Sequence, residues 1–271
     1  MKNLLINIDR RIIYTLVFIG TIIPFLFHIP IKVKVSPPVQ KSYNAIEDIP
    51  EGGVILISID YDPTSSPEIQ PMLIAILRHA FGKNLKIIMM GHLILGLPMG
   101  EMALKQVAAE YDKRYGLDYI NIGYRPGYTA VMLGMGREIR DFFARDVYGT
   151  PLDSIEMMRN IHNYNDIDLL VDLTHGYSGD LWIQTAGARF GQKIVIGCTG
   201  VVAPDIYPYL DAAQIEGLIG GLQGASEYEF LIKQYGTAIR GMPVQSIVHG
   251  IIILFIIIGN IGFYLTRRRK R

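Results

Sequence analysis

DIDLLVDLTHGYSGD, residues 166–180, decides how the rest of this chain is read. An apolar run over Ile167–Leu173 ends in a polar loop bracketed by Gly176 and Gly179, and a helical pattern starts beyond Asp180. A short continuous apolar run is how a strand buried on both faces reads, so the stretch predicts strand, loop and helix entry. Such loops gather ligands in open α/β sheets, because they set side chains beside the free backbone donors of a helix N-terminus.

The same unit recurs on both sides. Val54–Ile59, Leu85–Met90, Tyr119–Ile122 and Lys193–Gly197 repeat the buried-strand pattern. Ser66 and Pro67 supply an N-cap and first-turn proline to a helix that Gly82 ends, Leu104 to Tyr115 marks a second helix, and Leu133 to about Arg145 a third. Leu152–Ile161 reads as a short helix and Leu181–Phe190 as the helix behind the fourth strand. Alternation on this scale needs crossover connections. The expected fold is therefore α/β: a doubly wound, mostly parallel, Rossmann-like sheet of about five to six strands, flanked by N- and C-terminal transmembrane helices.

The membrane placement comes from charge. Ile12–Ile29 and Ile247–Leu265 are each near the ~20 residues a span requires and carry no Asp, Glu, Lys or Arg. Of the 26 basic residues, eight (Lys2, Arg10, Arg11, Arg267, Arg268, Arg269, Lys270 and Arg271) lie at the termini beyond the two spans, and Asp9 is the one acid with them. The positive-inside bias then puts both termini in the cytoplasm and the domain outside, in an integral protein of the cell membrane. No small-residue cleavage site follows the first span, so it reads as an uncleaved signal anchor. The expected order is a cytoplasmic terminus 1–11, span 12–29, tether 30–53, α/β domain 54–245, span 246–265 and basic tail 266–271. Pro30 to Gln245 holds 18 basic against 24 acidic residues, a formal charge of −6, which argues against nucleic acid as a partner. The tail RRRKR fits anionic lipid, and the single cysteine, Cys198, excludes an intramolecular disulfide.

Asp211 to about Gln234 reads as one helix with a stripe of small residues. Gly217 with Gly221, and Gly220 with Gly224, fit GxxxG. Glycines inside a helix cost roughly 1 kcal/mol each relative to alanine, so close packing must offset them, against the domain itself or against another subunit. Asn260 inside the second span also seeks a partner, across the two spans or between chains.

The residues expected at strand ends, Asp172 among them, converge on one rim. Asp60, Asp62, His92 and His175 offer hard ligands there, but no HxxxH or HxH spacing supports an ion, so no metal is assigned. Gly176-Tyr177-Ser178-Gly179-Asp180 approaches a nucleophile elbow yet lacks its last glycine and a later rim histidine; Ser178 reads more simply as a helix N-cap. Neither GxGxxG nor a Walker pattern occurs, and no cofactor is assigned. What remains is a pocket for a small polar ligand, lined by Tyr124, Arg125, Thr174, Gly176, Ser178 and Thr199. The expectation is a binding or scaffolding subunit of a membrane assembly, partnered by the lipid bilayer and by a second copy or other membrane subunits. The alternative is a membrane-tethered hydrolase, metal- or serine-dependent, using Asp60, Asp62, His92, His175 and Ser178.

Overall fold

The computed structural model describes residues 9–27 and 32–267, with side chains to residue 264. The residues 1–8 with Lys2, the end of the first expected span, and Arg268, Arg269, Lys270 and Arg271 of the basic tail lie outside the described residues. The chain forms two units, Val33–Ala238 and the pair of terminal segments.

The central unit is built on six parallel strands: β1 (Val54–Asp60), β2 (Lys86–Gly91), β3 (Tyr119–Tyr124), β4 (Leu169–Thr174), β5 (Ile194–Cys198) and β6 (Gly217–Gly220). Their order is β3-β2-β1-β4-β5-β6. The sheet thus starts at its centre and grows outward twice, and the reversal between β1 and β4 is its topological switch point.

Strand alternation sorts the core into two layers. Ile55, Ile57 and Ile59 of β1, with Leu169, Val171 and Leu173 of β4, face one layer. That layer is closed by α3 (Ser66–Gly82), α4 (Leu97–Glu110) and α9 (Gly221–Leu231), through Met72, Leu104 and Tyr228 among others. Val54, Leu56 and Leu170 face the other, closed by α5 (Tyr128–Met135), α6 (Ser178–Trp182) and α8 (Ala203–Asp211). At the strand C-termini this second face turns polar, because Ser58, Asp60, Asp172 and Thr174 continue the same alternation and are all buried.

The fold departs from expectation where glycine or short elements disguised the pattern. Asp211–Gln234 is not one helix: α8 ends at Asp211, Ala213 adopts a left-handed φ of 53°, and Gly217–Gly220 is the sixth strand. The helical glycine stripe therefore does not form. Gly217 lies against Ser42, Gly220 against Ala203, Gly221 against Gly200 and Glu68, and Gly224 against Ile219, so the four glycines meet the domain's own elements. The tether contains a helix, α2 (Pro37–Glu47), because the prolines after Ser36 pre-set a first turn and Val39 and Ile46 bury on one face. Its start is held by Glu227, which accepts hydrogen bonds from Ser36 N (2.9 Å) and Oγ (2.5 Å).

The third helix stops at Met135, where Gly134 and Gly136 are packed by the Phe142 and Phe190 rings. Leu152–Ile161 is two 3₁₀ turns, Leu152–Ser154 and Glu156–Met158, interrupted by the extended Ile155. Behind β4, α6 runs into a π-helical turn (Ile183–Gly187) and a short α7 (Ala188–Phe190).

The terminal unit holds α1 (Arg10–Leu26) and α10 (Thr237–Arg267). Among the described residues one helix, over Thr237–Tyr264, is long and apolar enough to cross a membrane. The α1 helix has 17 residues, about 25 Å at 1.5 Å per residue. The two helices meet at Gly20, where a Cβ would press on Ile251 and lie 3.5 Å from Ile247.

Candidate functional site

The C-terminal ends of β1 and β4 set two carboxyl groups side by side under the rim. Register pairs Ser58 with Asp172 and Asp60 with Thr174, so the side chains on this face interleave at the switch point. Asp60 is 1% exposed and Asp172 0%. Asp60 accepts Ser58 Oγ on Oδ2 (2.6 Å) and the His92 backbone N–H on Oδ1 (2.7 Å). Asp172 accepts Ser178 Oγ on Oδ2 (2.9 Å), and its Oδ1 is buried without a hydrogen-bond partner.

Burial, then the neighbouring Asp60 charge, pushes the Asp172 carboxyl well above its ordinary range, and the two groups lie within hydrogen-bonding reach. Asp60 has two donors aimed at it, Ser58 Oγ and the His92 N–H, whereas Asp172 has one. A proton on Asp172 supplies the donor that the carboxyl contact needs.

The histidines of the rim are fixed by carbonyl groups. His92 Nδ1 lies 2.8 Å from the Arg125 carbonyl, and His175 Nδ1 lies 3.2 Å from the Asp60 carbonyl. A carbonyl can only accept, so in each ring Nδ1 is the donor. His175 Nε2 sits 3.9 Å from Asp62 Oδ2 at the partly exposed rim. His92 Nε2 is buried without a partner, as are Trp182 Nε1 and Thr199 Oγ1. Buried polar atoms are usually satisfied, so several orphans around one switch point single it out.

A ladder of rings connects this interior to solvent. Trp182 packs on His92 at 5.7 Å, His92 on Tyr128 at 4.7 Å and Tyr128 on Tyr177 at 5.5 Å. Trp182 is fully buried, whereas Tyr177 is 63% exposed. Burial first, then Asp60, raises the Tyr128 hydroxyl above its ordinary value, and Asp172 adds to this, so the rung stands against both acids.

The expected residues divide accordingly. Asp60, His92, Thr174, His175 and Ser178 come together, with Asp62, Gly176, Tyr124 and Arg125 in the loops around them. Thr199 follows β5 beside Gly200, whose N–H donates to Glu68 (2.8 Å). Ser178 is not an N-cap: Tyr177 holds that position and the Ser178 hydroxyl serves Asp172. Neither histidine is hydrogen-bonded to Ser178, so no serine–histidine couple forms. Among the described residues no three His, Cys, Asp or Glu side chains converge on a metal position. Cys198 is fully buried, and burial with the nearby Asp172 pushes its thiol upward, which makes it inert.

Sequence reasoning overlooked Ser58, Tyr128 and Trp182, and placed Asp172 on the rim without its partner. Two clefts lie elsewhere on the central unit. One of about 240 Å³ is at the opposite ends of β5 and β6, lined by Gln192, Lys193 and Glu216; one of about 300 Å³ is between α3 and α9, lined by Tyr43, His79 and Lys233. Neither includes a switch-point residue. No model of a known protein family matches the chain, and neither a curated protein nor a solved structure is significantly similar to it, so its function is to be read from the switch point itself.

Proposed function

We propose that this chain is a membrane-anchored binding subunit, in which an α/β domain held outside the cytoplasm receives a small polar ligand at the β1–β4 switch point. The observation that carries the ligand reading is the buried Asp60–Asp172 pair with unpartnered polar atoms around it. A carboxyl pair beneath a sheet is a poor way to stabilise a core, since well-packed apolar residues do as well or better. Perturbed acids gathered at a strand-end rim are instead what binding sites of this architecture contain.

The anchor reading takes both α1 and α10 as spans with both termini in the cytoplasm. It is supported by the packing at Gly20, by the apolar sequence continuing to Ile29, and by Arg10, Arg11 and the RRRKR tail flanking the apolar segments. Gly250 and Gly259 border open space and Asn260 is exposed on α10, which favours assembly with a second copy or with other membrane subunits.

Both readings are testable on the full chain. Cys198 is buried and silent to reagents, so Lys41→Cys makes a single reporter at the exposed surface of α2. An impermeant maleimide labels it on intact cells if the domain is outside; labelling only after lysis overturns the orientation. For the ligand, the small-molecule fraction of host cells slows hydrogen exchange in residues 61–66 and 175–177 of the detergent-purified chain. Unchanged exchange in both loops removes the ligand reading.

A further inference from the structure

The geometry points to a site for a small organic ammonium ion, an amine rather than an anion or a neutral sugar, where the ring ladder meets the acid-lined rim of the switch point. This rests on the ligand-binding reading above and names the ligand class.

The first argument is what already occupies the anion position. In sheets of this order a phosphate sits at the turn after β1, on the N-terminus of the following helix. Here that turn is YDPTSSP, without glycine, and it is filled by the chain's own carboxylates. Asp62 Oδ1 accepts from Thr64 N (3.0 Å), Thr64 Oγ1 (2.6 Å) and Ser65 N (3.2 Å), and Glu68, in the first turn of α3, accepts from Gly200 N. An incoming anion would meet Asp62 and Glu68 instead of free N–H groups.

The second argument is the set of free acceptors. His92 Nε2 is an acceptor without a partner on a residue 3% exposed, its ring tilted by 33° against Tyr128. Asp62 Oδ2, 3.9 Å from His175 Nε2 at the same rim, is a second acceptor and brings negative charge. A guest that supplies N–H donors and positive charge satisfies these two acceptors, whereas one with lone pairs alone finds only the Trp182 Nε1 and Thr199 Oγ1 donors. Arg125 is the exposed cation of the same rim and gives its backbone carbonyl to His92.

The third argument is the aromatic wall. Tyr128 and Tyr177 stand in sequence from the buried acids to solvent, and ring faces next to carboxylates are how alkylammonium groups are held. Tyr177 is the outermost rung and is 63% exposed.

Isothermal titration of the full chain in detergent, at matched ionic strength, tests this with putrescine, spermidine, glucose and inorganic phosphate. The expected result is saturable binding of an amine but of neither glucose nor phosphate, weakened about tenfold or more by Tyr177→Ala and by Asp62→Asn, both surface changes. Variant-sensitive binding of glucose or phosphate instead would overturn the ammonium assignment and leave the ligand site standing. Amine binding that both variants leave unchanged, or no binding of any probe, also sinks it, and the exchange experiment on the cellular fraction then decides separately whether a ligand site exists.

Discussion

The carboxyl groups of Asp60 and Asp172 lie within hydrogen-bonding reach at the ends of the two central strands, neither more than 1% exposed, and burial with the neighbouring Asp60 pushes the Asp172 carboxyl well above its ordinary range. This gives the domain a distinctive pH response. An acid whose folded pKa is raised stabilises the fold in its protonated form: the contribution is complete below the unfolded value near 3.8 and is lost as pH rises towards the folded value. Each unit of that rise is worth about 1.4 kcal/mol at neutral pH. Asp172→Asn keeps the shape, accepts from Ser178 and donates to Asp60, yet has no proton to lose. The variant is expected to melt higher at pH 7, by at least the 2–4 °C that about 1 kcal/mol produces in a domain of this size, and to match the parent near pH 4. Equal melting temperatures at pH 7 would show that Asp172 is not the protonated member.

His79 should tilt stability the other way. It is 7% exposed, with Nδ1 2.7 Å from the Tyr228 hydroxyl and Nε2 2.8 Å from Glu47 Oε2. Burial depresses its pKa from the ordinary 6.5, and the Glu47 hydrogen bond only partly restores it. The unfolded chain then binds more protons below pH 6.5, so this residue's contribution is present above that pH and declines on acidification. Glu47→Gln removes the opposing effect, and its loss of stability between pH 7 and pH 5 is expected to be steeper than the parent's in parallel thermal melts. An identical slope would mean that the exposed Glu47 is screened by solvent and does not hold the ring.

The difference between what could be read and what could not lies in range. Val54–Asp60 and Leu169–Thr174 were legible because each carries enough consecutive apolar residues to exclude other readings. Gly217–Gly220 has four residues, too few to show a period of two, and Ile215, Leu218, Ile219 and Leu222 around it mimic helical spacing. Asp60 and Asp172 were both visible at strand ends. That they touch depends on a register between strands over 100 residues apart, which no local pattern encodes. Ser178 shows the same limit: a serine entering a helix predicts a cap, and only the neighbouring Asp172 redirects its hydroxyl.

The sixth strand makes its own prediction. A Cβ at Gly217 would lie 2.6 Å from Ser42 Cα, against the backbone of α2 and not the end of a flexible chain. Overpacking of that kind costs about 1–3 kcal/mol. Gly217→Ala is expected to lower the melting temperature by an amount independent of protein concentration. A loss that shrinks as concentration rises would return Gly217 to a subunit interface.

Cys198 reports on how the switch point opens. It pairs in register with Thr174, its thiol is raised by burial and then by Asp172, and it is 0% exposed. Any thiol reagent must therefore wait for the β4–β5 end of the sheet to open. Modification of the native chain by a small disulfide reagent should be slow and, once reagent is in excess, limited by that opening step. Asp172→Asn stabilises the same region at neutral pH, so it should slow the reaction further at pH 7. Because the parent gains on the variant as pH falls, the ratio of their rates should shrink from pH 7 to pH 5. If the variant instead reacts faster, the acid pair holds this end of the sheet closed, and the proton on Asp172 is a structural bond that the amide cannot replace.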